Sequence, residues 1–276
     1  MDIALQEPFV FQHTLDFLRG FSPMAGEQKL GGGTLVKSWI VRGTPATVTM
    51  KQDGDRLRCD VNAKVDEQIL AERVASFVSA DEDLNGFYEI AKKDEAFAPV
   101  AKKLRGFHHP KFATPFEAAV WSVLNQRVGI GPARKMKARI VENWGSGVAF
   151  PEAKTMARFT EKQIAKTIGN ERKARAVFHV SQAFAKVDEK WLQTAPIGEV
   201  DAWLRKIWGV GDFASGFILY RGLGRARSLP WSDMFVRAAK ATYPGTTRED
   251  LERRAEAYGP WKGHWALYLW AVTLTP

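Results

Sequence analysis

Apolar and polar residues alternate with a period of two in residues 46–51 and again in residues 56–61. The two segments flank Asp53-Gly54-Asp55, a sequence typical of a tight turn, so we predict a β-hairpin. The alternation places every second side chain on the same face of the sheet. That face carries Ala46, Val48, Met50, Leu57, Cys59 and Val61.

The spacing of apolar residues is mixed in the first part of the chain and helical almost throughout from about residue 83. Residues 34–41 are rich in β-forming residues, and residues 9–21 and 67–79 have helical spacing. We therefore predict an α+β fold, with an antiparallel α/β domain over residues 1–82 and a mostly helical domain over residues 83–276. The helices predicted in the second domain span 85–92, 95–104, 114–128, 131–144, 153–157, 161–168, 172–186, 198–207, 212–221, 233–242, 248–257 and 261–273.

Two glycines flank Val210 in the segment Gly209-Val210-Gly211, between two predicted helices. A glycine hairpin just before a helix leaves backbone N–H groups pointing outward, which makes a site for an anion such as phosphate. The alternative is a tight turn between two packed helices. An aspartate, Asp233, follows 22 residues after Gly211 behind a Leu229-Pro230 turn, and this context favours the anion site.

Charge is distributed unevenly between the two parts of the chain. The net charge is +9, yet residues 1–80 carry nine Lys and Arg against ten Asp and Glu, so the remainder carries +10. A basic domain indicates a polyanionic partner such as nucleic acid, although a solvated basic surface has the same composition. The part of the chain that contains the glycine hairpin is therefore the candidate surface for DNA.

Composition also excludes several classes of protein. The single cysteine, Cys59, excludes internal disulfides, a CxxC redox pair and a four-cysteine metal or iron–sulfur site. The N-terminus lacks the pattern of a secretory signal, and no apolar run is long enough to span a membrane. We expect a monomer in the reducing cytoplasm, associated with the nucleoid in a bacterium.

Several short motifs, in this order and spacing, resemble the helix-hairpin-helix DNA glycosylases, in particular the branch of bacterial 3-methyladenine DNA glycosylase II. The resemblance covers nearly the whole chain. It implies an N-terminal antiparallel domain similar to the TATA-binding protein repeat, which agrees with the α/β pattern of residues 1–82. The motifs are Leu15 to Leu18, Phe116 to Val120, Asn125 to Val128, Arg172 to Ala176, Gly209 to Gly211, Leu229 to Asp233 and Trp261 to Trp270.

Asp233 matches the catalytic aspartate of that family. Breaking an N-glycosidic bond develops positive charge on the sugar, and a fixed carboxylate stabilises this oxocarbenium-like state or orients the attacking water. At a helix N-terminus the carboxylate is expected to stay ionised. The alternative is that Asp233 or Ser232 caps the helix that begins beside it.

Phe213 stands where bifunctional members of the family carry a lysine, two positions after the second glycine of the hairpin. That lysine attacks the sugar and forms a Schiff base. Its absence implies a monofunctional hydrolase that uses water, without AP-lyase activity. It also argues against an oxidised-purine glycosylase, which would need the lysine.

The resemblance implies an aromatic pocket for the damaged base, formed by Phe213, Trp270, Phe17 and Phe217. Alkylated purines such as 3-methyladenine and 7-methylguanine carry a delocalised positive charge, which aromatic faces attract. In a chain with 17 Phe and 10 Trp, the alternative is that these rings belong to the core. Met234 replaces a tyrosine of the family and changes one wall of the pocket.

The segment Gln126-Arg127 matches the family's wedge, which fills the gap left by a flipped base. Arginine replaces a leucine there and is able to stack on bases or contact phosphate. The alternative is an ordinary surface arginine. Gly129 and Gly131 form a second, weaker candidate for a phosphate-binding loop.

The resemblance also assigns DNA contacts to the hairpin. Gly209, Val210 and Gly211 would bind phosphate, while Ala214 replaces a threonine whose hydroxyl contacts phosphate in the family; Ser215 is the candidate substitute. No cofactor is required, but hairpin carbonyls of the family bind a sodium or potassium ion. The corresponding carbonyls here belong to Arg205, Ile207 and Val210.

The sequence therefore predicts an enzyme of base excision repair that flips and excises alkylated bases from double-stranded DNA. A non-catalytic DNA-binding protein with the same hairpin is the first alternative, and it would need neither Asp233 nor the aromatic set. An oxidised-purine glycosylase is the second.

Overall fold

Five strands form one antiparallel sheet near the N-terminus of the computed structural model. The structure describes residues 1–226, 229 and 231–274, and at 233 and 234 the backbone only. The sheet has the order β1-β5-β4-β3-β2. The strands are β1 (Asp2–Ala4), β2 (Gln28–Gly31), β3 (Thr34–Val41), β4 (Thr44–Asp53) and β5 (Arg56–Val61).

The predicted hairpin is confirmed as β4 and β5. Met50 lies opposite Cys59 in the ladder, and a two-residue turn follows Asp53, with Gly54 at a φ of 59° that favours glycine. The face predicted to be apolar is buried, except that Val61 is half-buried. Burial raises the pKa of the Cys59 thiol to about 12, as expected for a thiol enclosed in a sheet core.

Helices make up the rest of the regular structure, and most lie where the spacing predicts. Helix α5 ends at Leu124, four residues earlier than predicted, and α10 and the short strands β1 and β2 were not predicted. The helices are α1 (Phe11–Gly20), α2 (Glu67–Val78), α3 (Asn85–Ala91), α4 (Ala98–Lys103), α5 (Pro115–Leu124), α6 (Ile130–Trp144), α7 (Ala153–Met156), α8 (Glu161–Ile168), α9 (Glu171–Phe184), α10 (Glu189–Thr194), α11 (Ile197–Arg205), α12 (Asp212–Phe217), α13 (Asp233–Thr242), α14 (Arg248–Ala257) and α15 (Lys262–Ala271).

The central helix α5 is buried along its whole length. Thr114 caps it by accepting a hydrogen bond from the Glu117 N–H at 3.0 Å, and Pro115 occupies the first turn. Both roles follow from the Thr-Pro sequence. On one side α5 packs against α9, and on another it packs against the π-helical turn Ile218–Gly222 that continues α12. The helix thereby fixes the elements that surround the candidate site.

Buried charges join the sheet to the helices. The Lys137 ammonium in α6 lies 2.6 Å from a carboxylate oxygen of Glu117 and 2.6 Å from one of Glu27. Burial would lower the pKa of Lys137, but the two carboxylates hold it above its ordinary value. Burial likewise raises the pKa of Glu27 against the attraction of Lys137. This junction therefore keeps a paired cation between the two parts of the chain.

The mixed fold with its antiparallel sheet agrees with the predicted class. All five strands end by Val61, and residues beyond Asn85 contain only helices and turns where the structure describes them. The division of the chain at residue 82 stays a prediction. Within the described ranges, no helix is both long and apolar enough to cross a membrane.

Candidate active site

The glycine hairpin connects α11 to α12, as predicted. Gly209 has a φ of +90°, and a Cβ on it would lie 2.8 Å from the Ala176 Cβ in α9, so the fold itself requires glycine there. Gly211 differs, because it has a negative φ and no atom lies within 4 Å of the position a Cβ would take. Nothing inside the protein requires Gly211 to lack a side chain. Its open side permits close approach of another molecule to the backbone at the start of α12.

Ser215 does not replace the missing threonine hydroxyl. Its side chain is fully buried and its hydroxyl donates a hydrogen bond to Asp201 at 2.5 Å. Ala214 is also buried. The first turn of α12 therefore offers a ligand its backbone rather than these two side chains, while Asp212 pairs with Arg205 on the exposed side.

The turn after α5 carries both predicted wedge residues, but their side chains differ in exposure and contacts. The Gln126 side-chain amide is half-buried and donates to the Gly209 carbonyl at 2.8 Å. Arg127 is exposed and has a φ of 54°, unusual for a residue with a side chain. Lys173 of α9 donates to the carbonyls of Val123 and Gln126, at 2.7 and 2.6 Å.

A cavity of about 340 Å³ opens beside the hairpin and this turn. Asn125 and Ile130 line it from one side and Phe213 from another, while Ser232 lines it immediately before α13. A cavity of this size with mainly apolar and aromatic walls is typical of a site for a small molecule or a single base. Hairpin, turn and cavity thus lie on the same part of the surface.

Three of the predicted pocket aromatics line this cavity. Phe213 is 64% exposed at its rim, and Phe217 and Trp270 form part of its wall. Phe17 is fully buried behind the wall, with its ring edge-on to Trp270 at 5.2 Å between centroids. Phe17 therefore supports Trp270, and Phe21, which stacks on Phe17, lines the cavity itself.

A buried arginine also lines the cavity. Arg221 lies in the π-helical turn, is 2% exposed, and its guanidinium lies 4.4 Å from the centre of the Phe21 ring. It donates to the His109 imidazole and, at 2.9 Å, to the Pro110 carbonyl. Burial lowers the pKa of Arg221 to about 10, so it remains charged at neutral pH. Burial and the nearby Arg221 hold the pKa of His109 well below its ordinary value.

Several buried polar atoms of the lining residues have no hydrogen-bond partner. They are the Nε of Arg221, the indole Nε1 of Trp270 and the Oδ1 of Asn125. Unpaired buried polar atoms are uncommon in native proteins because each costs free energy. All three are enclosed by the protein, as is the unpaired hydroxyl of Thr14, which does not line the cavity.

Asp233 is the first residue of α13, but its side chain and that of Met234 lie outside the described part of the structure. Ser228 and Pro230, in the segment that leads to Asp233, are also outside it. Ser232 is the N-cap, and its hydroxyl accepts a hydrogen bond from the Phe235 N–H at 3.2 Å. Because Ser232 fills the capping role, the helix does not depend on Asp233 for its cap.

Sequence reasoning missed several residues of the cavity wall. The aromatic residues of the wall stand among apolar residues in the sequence, so they could not be distinguished from core residues. Nothing in the sequence marks Arg221 as a buried cation. Gly216 is a further one: it lines the cavity, and a Cβ on it would meet no atom within 4 Å. The lining residues not predicted include Phe21, Trp121, Tyr220, Arg221, Trp231 and Phe235.

Metal ligands are scarce in the described structure. No group of three or more His, Cys, Asp or Glu side chains that could hold a metal ion occurs among the residues it describes. At the hairpin, the Ile207 carbonyl accepts a hydrogen bond from the Val210 N–H at 3.0 Å and keeps a second lone pair. Carbonyl oxygens suit a hard cation, and the monovalent ion at the hairpin stays a prediction.

The proteins to which this chain is similar include DNA glycosylases, both by sequence and by fold. No family model matches the sequence. The DNA-3-methyladenine glycosylase of Bacillus subtilis is 23% identical over 224 residues, which cover 75% of this chain and 74% of that protein.

Two solved structures share the fold. The 3-methyladenine DNA-glycosylase from Archaeoglobus fulgidus superposes with a TM-score of 0.78 at 16% identity over the whole of both chains. The 8-oxoguanine glycosylase/lyase of Clostridium acetobutylicum, in complex with DNA, has a TM-score of 0.69 at 16% identity over 96% of this chain and 91% of that one. The chain thus has the fold of the helix-hairpin-helix DNA glycosylases and, among them, resembles the 3-methyladenine DNA glycosylases.

Proposed function

We propose that this protein is a DNA glycosylase that flips alkylated bases out of double-stranded DNA and hydrolyses their N-glycosidic bond, as a step of base excision repair. One observation carries the proposal. An open glycine hairpin, an exposed arginine on a braced turn and an aromatic cavity lie together next to the first residue of α13, Asp233. The name of the Bacillus subtilis relative supports the class of lesion.

Binding begins at the hairpin. The open side of Gly211 lets a DNA phosphate approach the backbone N–H groups at the start of α12, where the helix dipole favours a negative charge. Gly209 and Val210 hold the shape of this contact. The carbonyls of Arg205, Ile207 and Val210 are the ligands we assign to a monovalent cation between the hairpin and the phosphate. The N-terminal sheet is a support similar to the TATA-binding protein repeat.

Flipping and recognition involve the turn and the cavity. Arg127 enters the gap that the flipped base leaves, and unstacking costs a few kcal/mol that must be recovered. The base enters the cavity against Phe213, Phe217 and Trp270. These rings offer flat apolar faces, which stack on purines of different substitution. A non-catalytic DNA-binding protein would have no use for such a cavity.

Asp233 supplies the negative charge for the chemical step. A carboxylate beside the sugar stabilises the positive charge that develops as the bond breaks, and it orients the water that attacks. Because Phe213 stands where a Schiff-base lysine would act, we propose that the protein is monofunctional and leaves the DNA strand intact. The same substitution argues against an oxidised-purine glycosylase, although such an enzyme has a similar fold.

Base release decides between these functions. We expect the wild type to release 3-methyladenine and 7-methylguanine from methylated duplex DNA, and no 8-oxoguanine from a matched duplex. Asp233→Asn should bind DNA as the wild type does. Its rate of base release should be about one hundredth of the wild-type rate, or lower. Asp60→Asn, an exposed aspartate in β5, is the matched control. Wild-type release by Asp233→Asn, or a borohydride-trapped protein–DNA adduct, would contradict the proposal.

A further inference from the structure

A buried lysine anchors the turn that carries Arg127. Lys173 is 8% exposed, and its ammonium donates to the carbonyls of Val123 and Gln126. We propose that Lys173 is a positioning residue for base flipping: it holds the turn so that Arg127 enters the DNA at a fixed distance from the hairpin. The inference rests on the proposed function, which supplies the need to flip a base.

The chemistry of the contact suits this task. The Val123 carbonyl lies in the last turn of α5, at the negative end of the helix dipole, where carbonyls lack a partner within the helix. The Gln126 carbonyl lies two residues beyond the end of the helix at Leu124. An ammonium has three donors, and Lys173 directs two of them at these carbonyls over 2.7 and 2.6 Å. Hydrogen bonds from a charged donor are stronger than neutral ones, especially where water is excluded. The end of α5 is therefore held by a charge rather than by packing alone.

The second of these carbonyls controls the backbone at Arg127. The Gln126 carbonyl belongs to the peptide group that precedes Arg127, and a peptide group is planar. Holding that oxygen fixes the plane from which the φ of Arg127, 54°, is measured. A non-glycine residue keeps this left-handed conformation only where its surroundings enforce it. Lys173 provides that enforcement.

The same helix also sets the position of the hairpin. Gly209 packs against Ala176, one turn after Lys173 in α9, and the Gly209 carbonyl accepts a hydrogen bond from the Gln126 side chain. Helix α9 thus contacts the phosphate-binding hairpin and the intercalating turn at once. The separation between the two is fixed before DNA binds, so little ordering is left to be done in the complex.

This arrangement predicts a selective defect. Without the Lys173 ammonium the turn gains freedom, and Arg127 no longer fills the gap reliably. A lesion in a stable base pair then returns to the helix more often before it reacts. A lesion that has no pairing partner needs less help to leave the duplex. Loss of Lys173 should therefore slow the release of a paired lesion and leave the release of an unpaired lesion unchanged.

The test compares single-turnover release of 7-methylguanine opposite cytosine with release opposite an abasic-site analogue. We expect Lys173→Met to lower the rate opposite cytosine, relative to the rate opposite the abasic-site analogue, at least about tenfold. This change is equivalent to about 1.4 kcal/mol. Lys173→Arg, which keeps charged donors, should restore most of the ratio. Lys162→Met, an exposed lysine of α8, is the control for loss of charge. Thermal unfolding of each variant identifies a general loss of stability.

A second readout follows flipping without chemistry. 2-Aminopurine placed beside the lesion fluoresces when its neighbour leaves the stack, and Lys173→Met should reduce that signal. Equal slowing on both duplexes, or no slowing on either, would overturn the positioning role. If the wild type releases no base, the proposed function fails. The fluorescence then decides on Lys173 alone, and a signal that Lys173→Met does not reduce overturns its role. Should Lys173→Met not fold, Lys173→Gln serves in its place.

Discussion

Lys137 and Arg221 are both buried cations, and the protein satisfies them in different ways. Lys137, at the junction of sheet and helices, contacts two carboxylates at 2.6 Å. Arg221, in the cavity wall, contacts no carboxylate among the described residues; its partners are a neutral imidazole, a backbone carbonyl and aromatic rings. Glu27 also lies 4.0 Å from the Lys37 ammonium, so the junction pairs two cations with two carboxylates. Arg221 has no such partner among the described residues.

The difference indicates what each region is for. A cation paired with carboxylates is a closed arrangement, which resists separation of the sheet from the helices but offers nothing to a ligand. Arg221 has only neutral partners among the described residues, so no carboxylate there offsets its charge. Lys137 therefore serves the contact between sheet and helices, whereas Arg221 belongs to the wall of the candidate site. Substitutions in the two regions should consequently differ in stability and in activity.

The largest effect is expected at the junction. Lys137→Met leaves Glu117 charged, buried and unpaired, and should lower the free energy of unfolding by about 3–5 kcal/mol. Urea denaturation at pH 7 measures it. The double variant Lys137→Met/Glu117→Gln removes that uncompensated charge and should recover part of the loss. A double variant as unstable as the sum of the single ones would show that the pair is not coupled.

A smaller loss of stability is expected at the cavity. Arg221→Met leaves the His109 and Pro110 acceptors without a donor, and should cost about 1–3 kcal/mol in unfolding free energy. Base release should fall as well, because Phe21 in the cavity wall loses the guanidinium that lies against it. Lys137→Met, assayed well below its unfolding temperature, should retain release. Equal losses of activity in both variants would erase the distinction between the regions.

The smallest effect is a pH dependence of stability at His109, the hydrogen-bond partner of Arg221. His109 accepts a hydrogen bond from Arg221, so it is neutral in the folded protein, and its pKa lies well below 6.5. The unfolded chain binds the proton first, so stability is complete above about pH 6.5 and declines below it by about 1.4 kcal/mol per pH unit. The difference between wild type and His109→Gln, measured by denaturation from pH 5 to 7.5, isolates this slope. Parallel curves would refute the assignment.

The sequence predicted the regular elements well where one pattern controls them. Alternation along β4 and β5 reflects a sheet with one buried face, and it identified the turn at Gly54. The resemblance to a known family placed the hairpin, and the motif itself marks its glycines. The motif does not distinguish the roles of its two glycines. Contact with Ala176 requires glycine at position 209, whereas nothing inside the protein requires it at position 211.

The contacts within the site were beyond prediction because they join residues far apart in the chain. Gln126 reads as half of a wedge, yet its side chain bonds the hairpin 83 residues away. The sequence predicts Phe17 as a ring of the pocket, but in the structure Phe17 is buried and supports Trp270 from behind. Its burial depends on which residues pack between it and the cavity, and the sequence does not show these. Ser215 reads as a substitute phosphate ligand until its bond to Asp201 is seen. The catalytic role that the family motif assigns to Asp233 stays a prediction.

Gly216 gives the cavity an adjustable depth. A Cβ there would meet no atom within 4 Å, so the position can accept alanine at little cost to the fold. Elsewhere in the wall, a change of size disturbs neighbours that are already packed. Through this one position, natural variation could narrow the range of accepted bases while leaving stability nearly constant. Descendants of this chain could thus diverge in substrate by single steps, each of them a folded protein.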